Sequence, residues 1–222
     1  MCVPAEAPCH KAIRATYFFS FESMPTHKAT LRKSLLVARL ALPAEQRKRC
    51  DTAICERLLA WLSLQSHMAI GVYWPIQGEP DLRPIYAALV KGGATLALPL
   101  VSQRNAALTF SVWRPGDALM KDACGVPVPA VQSAQVSPDL VLVPCVGFNR
   151  DLFRIGYGAG YYDHTLAESP HLRSLGIAYD AALTRFDPDA HDVPLDVVLT
   201  ETAVLAQKGP TAARSLPSRQ PD

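Results

Sequence analysis

Arg154-Ile155-Gly156-Tyr157-Gly158-Ala159-Gly160-Tyr161-Tyr162-Asp163 sets three alternating glycines between a guanidinium and a carboxylate. Glycine lets the backbone turn sharply and lets N–H groups approach a ligand with no Cβ in the way. Successive N–H groups in such a turn form an anion-binding nest, and a helix N-terminus behind it adds partial positive charge. The apolar run Leu140-Val141-Leu142-Val143 precedes the segment, and a helix-compatible stretch, Tyr161 to Ala167, follows it. Strand, glycine turn and helix are the grammar of a phosphate site in an α/β protein. The G-x-G-x-G spacing is neither the dinucleotide fingerprint G-x-G-x-x-G nor a Walker loop. Three glycines alone would favour a mobile surface loop. The flanking charges and the paired tyrosines favour the site: Arg154 can grip phosphate oxygens in a planar fork, and Asp163 can hold a hard cation that bridges them.

Working outward, helices and apolar strands alternate. His27 to Ala41 predicts a helix, with Leu31, Leu35, Ala38 and Leu42 on one face. Lys28 and Arg32 stand one turn apart on it, and Arg39 returns close to their azimuth. Such a stripe is ordinarily a solvated face. Pro43 ends this helix and Ala44 to Leu64 predicts a second. Met68 to Trp74 predicts a buried strand ended by Pro75. The turn Gln77-Gly78-Glu79-Pro80 leads to a helix capped by Asp81 and stopped at Gly92-Gly93. Ala94 to Leu98 is the next strand, so the order implies a parallel pair with a helical crossover. Further strands are predicted at Leu108 to Val112, Leu175 to Tyr179 and Val197 to Leu199.

Composition bounds the rest. A chain of 222 residues, 49% hydrophobic, can bury a substantial core. With 22 basic and 20 acidic residues the net charge is +2, too balanced to argue for nucleic acid. Cys2, Cys9, Cys50, Cys55, Cys124 and Cys145 include no C-x-x-C pair, which reads as reduced thiols in a cytoplasmic protein. No apolar run reaches the roughly 20 residues of a membrane span. Residues 1–26, with the cluster Tyr17-Phe18-Phe19-Ser20-Phe21, read as a flexible extension, and 207–222 as a disordered tail. Cys145 has no evident base beside it and reads as a buried thiol, not a nucleophile.

The decapeptide, preceded by Val143-Pro144-Cys145-Val146-Gly147-Phe148-Asn149, resembles the signature of the 5-formyltetrahydrofolate cyclo-ligase family, also called methenyltetrahydrofolate synthetases. That pattern runs roughly P-G-V-A-F-D, a short gap, then R-L-G-Y-G-x-G-Y-Y-D. This chain departs from it at Cys145, Gly147, Asn149, Ile155 and Ala159, and keeps the charged pair, the glycines and the tyrosines. Further departures are Val128, where many members carry Glu, and Ala181-Ala182, near where Gln often stands.

The resemblance covers residues 27–206 and implies one three-layer α/β/α domain with a mostly parallel central sheet, which the alternation of elements supports. It implies ATP-dependent cyclisation of 5-formyltetrahydrofolate to 5,10-methenyltetrahydrofolate through a phosphorylated formyl group, with Mg²⁺ as cofactor. Lys28 and Arg32 match the family's K-x-x-x-R, whose side chains reach the nucleotide phosphates. Lys28 and Arg154 would be catalytic, and ATP would meet Lys28, Arg32, Arg154 and the run Gly156, Tyr157, Gly158, Ala159, Gly160, Tyr161, Tyr162. Glu79, Trp74, Tyr157 and Tyr161 would line the folate, and Asp163 and Asp192 would hold the metal. The expected partners are these small molecules, with no nucleic acid, no membrane and a monomeric state. Two other readings are a catalytically silent folate- or nucleotide-binding relative on the same scaffold and a sugar-phosphate isomerase-like enzyme on a related fold.

Overall fold

A computed structural model describes residues 27–63, 68–122, 125–130 and 134–207. The N-terminal extension and all but the first residue of the C-terminal tail therefore lie outside the described residues. In chain order the elements are α1 (His27–Leu40), α2 (Ala44–Leu62), β1 (Ala69–Gly71), α3 (Arg83–Lys91), β2 (Thr95–Leu100), β3 (Thr109–Val112), β4 (Leu119–Lys121) and β5 (Pro127–Pro129). They continue with β6 (Leu140–Pro144), β7 (Gly147–Phe148), β8 (Arg154–Ile155), α4 (Tyr161–Glu168), β9 (Arg173–Ile177), a 3₁₀ turn (Asp180–Ala182), β10 (Val197–Leu199) and β11 (Val204–Ala206).

Among the described residues, seven strands form one sheet in the order β11-β10-β9-β6-β1-β2-β3. β10, β9, β6, β1 and β2 run parallel, while β3 and β11 close the two edges antiparallel. The apolar run of β6 explains its central place. Leu140 and Leu142 face a core made with Ile54 and Leu58 of α2 and Tyr86 and Leu89 of α3. Val141 and Val143 face the opposite core, with Leu166 of α4 and Phe148 and Leu152 of the following hairpin. A strand that alternates between two buried faces needs helices on both sides, which makes the three layers. α1 stands apart from both: Leu31, Leu35 and Leu36 pack on Val146, Ile155 and Phe186 beyond the strand ends.

The element boundaries shift by small amounts from the sequence reading. β1 is shorter than Met68 to Trp74, although Val72 and Tyr73 remain buried behind it. β9 lies two residues earlier than predicted because its register is set by pairing with β6, Leu142 opposite Leu175. Asp81 does not cap α3 from the N-cap position, which Leu82 occupies; its Oδ1 accepts the Arg83 N–H at 3.0 Å. Instead of running straight from β6, the glycine loop follows an inserted hairpin, β7–β8. Gln207 is described, its side chain donating to the Leu195 carbonyl at 3.4 Å. No helix among the described residues is long and apolar enough to cross a membrane.

This topology locates the site. From β1 the chain crosses to β2 on one side, and β6 then starts the half of the sheet on the other side. The loops after β1 and β6 diverge at that switch point and leave a crevice at the carboxyl ends of the strands, where open α/β sheets bind ligands. The loop after β1 carries Glu79, and the chain after β6 carries the glycine loop.

Candidate active site

The basic stripe of α1 is not solvated. Lys28, Arg32 and Arg39 sit at i, i+4 and i+11; Lys28 reaches the 189–192 turn, while Arg32 and Arg39 both reach the glycine loop. Lys28 donates to Asp189 at 2.8 Å and to the Asp192 carboxylate, with its own side chain 13% exposed. Burial works against its ammonium, but the bonds to the two aspartates outweigh that and raise its pKa. Arg32 Nε donates to the Gly156 carbonyl at 2.6 Å. Arg39 reaches the Tyr157 hydroxyl, the Gln77 carbonyl and the Cys145 carbonyl.

The glycine loop adopts the backbone its sequence allows. Gly158 has φ +102° and Gly160 φ +68°, values that strain any L residue. Gly160 stands at the N-cap of α4 and offers no side-chain cap, so the first-turn N–H groups are left for a ligand. A Cβ at Gly158 would sit 3.4 Å from the Arg32 guanidinium carbon, so the loop and the stripe of α1 are in contact.

Arg154 anchors the root of this loop. It is 6% exposed, donates from Nη1 to the Val193 carbonyl at 3.0 Å, and brings Nη2 within 2.9 Å of Asp163 Oδ1. That second approach is an ion pair without hydrogen-bond alignment, so a buried N–H of Arg154 stays unsatisfied among the described residues. Asn149 shapes the hairpin that delivers Arg154: its Oδ1 accepts the N–H groups of Asp151 and Phe153, and its Nδ2 donates to the Phe186 carbonyl. Asp163 also accepts the Val193 N–H at 3.0 Å, which ties the start of α4 to the segment that carries Asp192.

Glu79 is 4% exposed, not the surface carboxylate that its polar turn would ordinarily give. Its Oε1 accepts from the Tyr157 hydroxyl at 2.7 Å and its Oε2 from the Ile76 N–H at 2.9 Å. Burial pushes its pKa up to about 6, against the pull of those two bonds and of Arg39. Trp74 lies edge-on to Trp113, with centroids 5.9 Å apart, and under the Arg83 guanidinium. Tyr161 and Tyr162 pack on the α4 side of the sheet, so they and Trp74 fall in different core clusters. Cys145 is a buried free thiol whose pKa burial pushes up to about 12, which removes it as a nucleophile. Val128 is a buried residue of β5, opposite Met120.

No cluster of three or more His, Cys, Asp or Glu side chains among the described residues forms a metal cage. A Mg²⁺ that bridges substrate phosphates needs only one or two carboxylates, since phosphate and water oxygens complete its shell. Asp163 and Asp192 suit that kind of site. Each uses a single carboxylate oxygen in the contacts above, and each stands beside a phosphate-compatible cation, Arg154 or Lys28.

The model of the 5-formyltetrahydrofolate cyclo-ligase family matches residues 25–201. This chain belongs to that family. The 5-formyltetrahydrofolate cyclo-ligase of Mycolicibacterium smegmatis is 30% identical over 188 residues, which cover 79% of this chain and 94% of that one. The enzyme of the same name from Escherichia coli K12 is 27% identical over 174 residues, 75% of this chain and 96% of its own. Among solved structures, the 5,10-methenyltetrahydrofolate synthetase of Aquifex aeolicus superposes with a TM-score of 0.71 at 30% identity, covering 82% of this chain and 93% of that one. The synthetase from Mycoplasma pneumoniae gives 0.66 at 26%, covering 79% and 99%. The α/β fold with its mostly parallel sheet is thus a cyclo-ligase fold in its strand layout as well as its signature. Arg39 and Asp189 are the site residues that the sequence reading left without a role. Arg39's azimuth was the available signal; Asp189 had none, because only the folded 189–192 turn brings it to Lys28.

Proposed function

We propose that this chain is a 5-formyltetrahydrofolate cyclo-ligase, converting 5-formyltetrahydrofolate and ATP into 5,10-methenyltetrahydrofolate, ADP and phosphate. The observation that carries the reading is the Arg32 bond to Gly156, which lays the basic stripe of α1 onto an uncapped glycine loop. A formamide oxygen is a poor leaving group, so N10 cannot expel it directly. The formyl oxygen instead attacks the γ-phosphorus of ATP, and ADP departs. N10 then attacks the formyl carbon, the ring closes, N10 gives up its proton to solvent, and the C–O bond breaks with the oxygen leaving as part of phosphate. Both nitrogens belong to one substrate, so ring closure needs positioning more than an acid–base dyad.

Phosphoryl transfer asks for charge neutralisation and alignment. Lys28, Arg32, the unsatisfied N–H of Arg154 and the backbone from Gly156 through Gly158, Ala159 and Gly160 to Tyr161 and Tyr162 would hold the phosphates. Lys28 and Arg154 would bear the charge that develops in the transition state. Asp163 and Asp192 would hold Mg²⁺, which neutralises phosphate charge when bound. Glu79, with Trp74, Tyr157 and Tyr161, would meet the pterin at the switch-point crevice. The free thiols Cys50, Cys55 and Cys145 suit a reducing, cytoplasmic setting.

The test is to incubate the protein with 5-formyltetrahydrofolate, with and without ATP–Mg²⁺, and follow methenyl absorbance. ATP-dependent product is expected. Folate or nucleotide binding without product would mark a catalytically silent relative, and turnover of a sugar phosphate alone would replace the reading altogether.

A further inference from the structure

Arg39 has no part in the reading above, yet its guanidinium spans three segments of the crevice. Nε donates to the Gln77 carbonyl at 3.1 Å, Nη1 to the Cys145 carbonyl at 3.4 Å and Nη2 to the Tyr157 hydroxyl at 2.5 Å. Arginine carries donors only, so the phenol oxygen accepts from it. The single phenolic hydrogen is then committed to Glu79 Oε1, 2.7 Å away. Glu79 Oε2 is also an acceptor, from the Ile76 N–H. Glu79 thus accepts at both oxygens, a pattern that the carboxylate offers without placing a proton.

We propose that Arg39 is a positioning residue for the pterin end of the site: through the Tyr157 hydroxyl it keeps Glu79 an anion and draws the glycine loop onto the turn after β1. The inference rests on the reading of Glu79 as the pterin contact. A carboxylate accepts paired N–H donors from a ring edge at both oxygens, whereas the neutral acid presents a donor at one of them.

The surroundings give Arg39 this task. Tyr73 behind β1, Tyr157 in the glycine loop, Tyr162 of α4 and Cys145 after β6 all interact electrostatically with Glu79, as does Arg39 of α1. Of these Arg39 is the cation. Burial opposes the carboxylate, and its pKa is already raised to about 6 with Arg39 in place. Removing the guanidinium takes away the one charge that offsets burial alongside the Ile76 and Tyr157 bonds.

The experiment follows the Glu79 carboxyl carbon by ¹³C NMR across pH in the full chain, assigned by its loss in Glu79→Gln. Methionine at position 39 keeps an unbranched apolar stem. Arg39→Met should raise the proton affinity of Glu79 about tenfold or more, while Arg39→Lys stays close to the parent because the charge remains. Tyr157→Phe, which removes the phenol bond to Glu79 and with it the link to Arg39, should move it the same way by at least as much, because that bond favours the carboxylate more than the Arg39 charge does. In turnover, Arg39→Met should raise KM for the folate about threefold near pH 6.5 and recover towards pH 8.5. A Glu79 titration unmoved in Arg39→Met, or a pH-independent loss equal in Arg39→Lys, would overturn the inference and reduce Arg39 to a strut. If Arg39→Met fails to fold, the Tyr157→Phe titration decides, and an unmoved Glu79 there has the same consequence. The titration needs no substrate, so a parent protein that forms no methenyl product would sink the functional reading by a separate result.

Discussion

Glu79 carries the clearest stability signature of any single residue. Its ordinary pKa of 4.5 is raised to about 6 by burial, so the native state holds its proton more tightly than the unfolded chain. Stability from this group is complete below pH 4.5 and is lost as pH rises through about 6, a change of about 2 kcal/mol. Urea unfolding at pH 4.5 and pH 7 should show that loss in the parent and not in Glu79→Gln; parallel changes in both would reject it. Lys28 stands at the other end of the site. Lys28→Ala should lower turnover by roughly 10²–10³, the scale of one preorganised group on developing charge, without harming α1. Near-normal kinetics would return Lys28 to a structural pair with Asp189 and Asp192. For the metal the informative change is Asp163→Asn, which keeps an acceptor for the Val193 N–H and removes the charge that holds a hard cation. It should need far more Mg²⁺ for turnover while binding folate normally without nucleotide. Asp192→Asn should show a milder form, and the double variant less than the sum of the two. An unchanged Mg²⁺ response would take Asp163 out of the metal site and leave it as the partner of Arg154.

At the scale of elements, α1 and the glycine loop behave as one unit because Arg32 bonds to Gly156 and lies against Gly158. Gly158→Ala therefore acts in two ways. Its φ of +102° strains any L residue, and the new Cβ would touch the Arg32 guanidinium at 3.4 Å, so relief of the strain shifts the loop against α1. Gly116 separates the two effects, with φ +104° and nothing within 4 Å of an added Cβ. Both alanine variants should lose about 1–3 kcal/mol from backbone strain, and only Gly158→Ala should raise KM for ATP. Equal kinetics in the two would mean that the loop does not depend on its contact with α1. The hairpin β7–β8 is a quieter support. Asn149 builds its turn with Leu152 at φ +64°, and that turn aims Arg154 at Asp163.

At the scale of the molecule, the seven-stranded sheet, its two helical layers and the crevice are all assembled from residues 27–207. A chain restricted to residues 24–207 should keep the melting temperature and turnover of the full one, measured side by side; a large fall in either would mean that an outlying segment packs on the fold. Much of this architecture could be read locally. The apolar run of β6, the leucine spacing of α1 and the glycines of the phosphate loop each record a short-range demand: burial on both faces, a single buried stripe, positive φ. The strand boundaries were less legible, since the pairing of β9 with β6 sets them across the sheet. The wiring of the site was not legible at all. Tyr157 meets Arg39 across 118 residues and Glu79 across 78, and no local pattern records either pairing. The resemblance could name Lys28, Glu79 and Asp163 one by one. That Glu79 is buried, that its anion faces one cation through a phenol, and that Arg39 points inward are consequences of how the layers close at the switch point, where long-range packing and desolvation decide which polar groups must find one another.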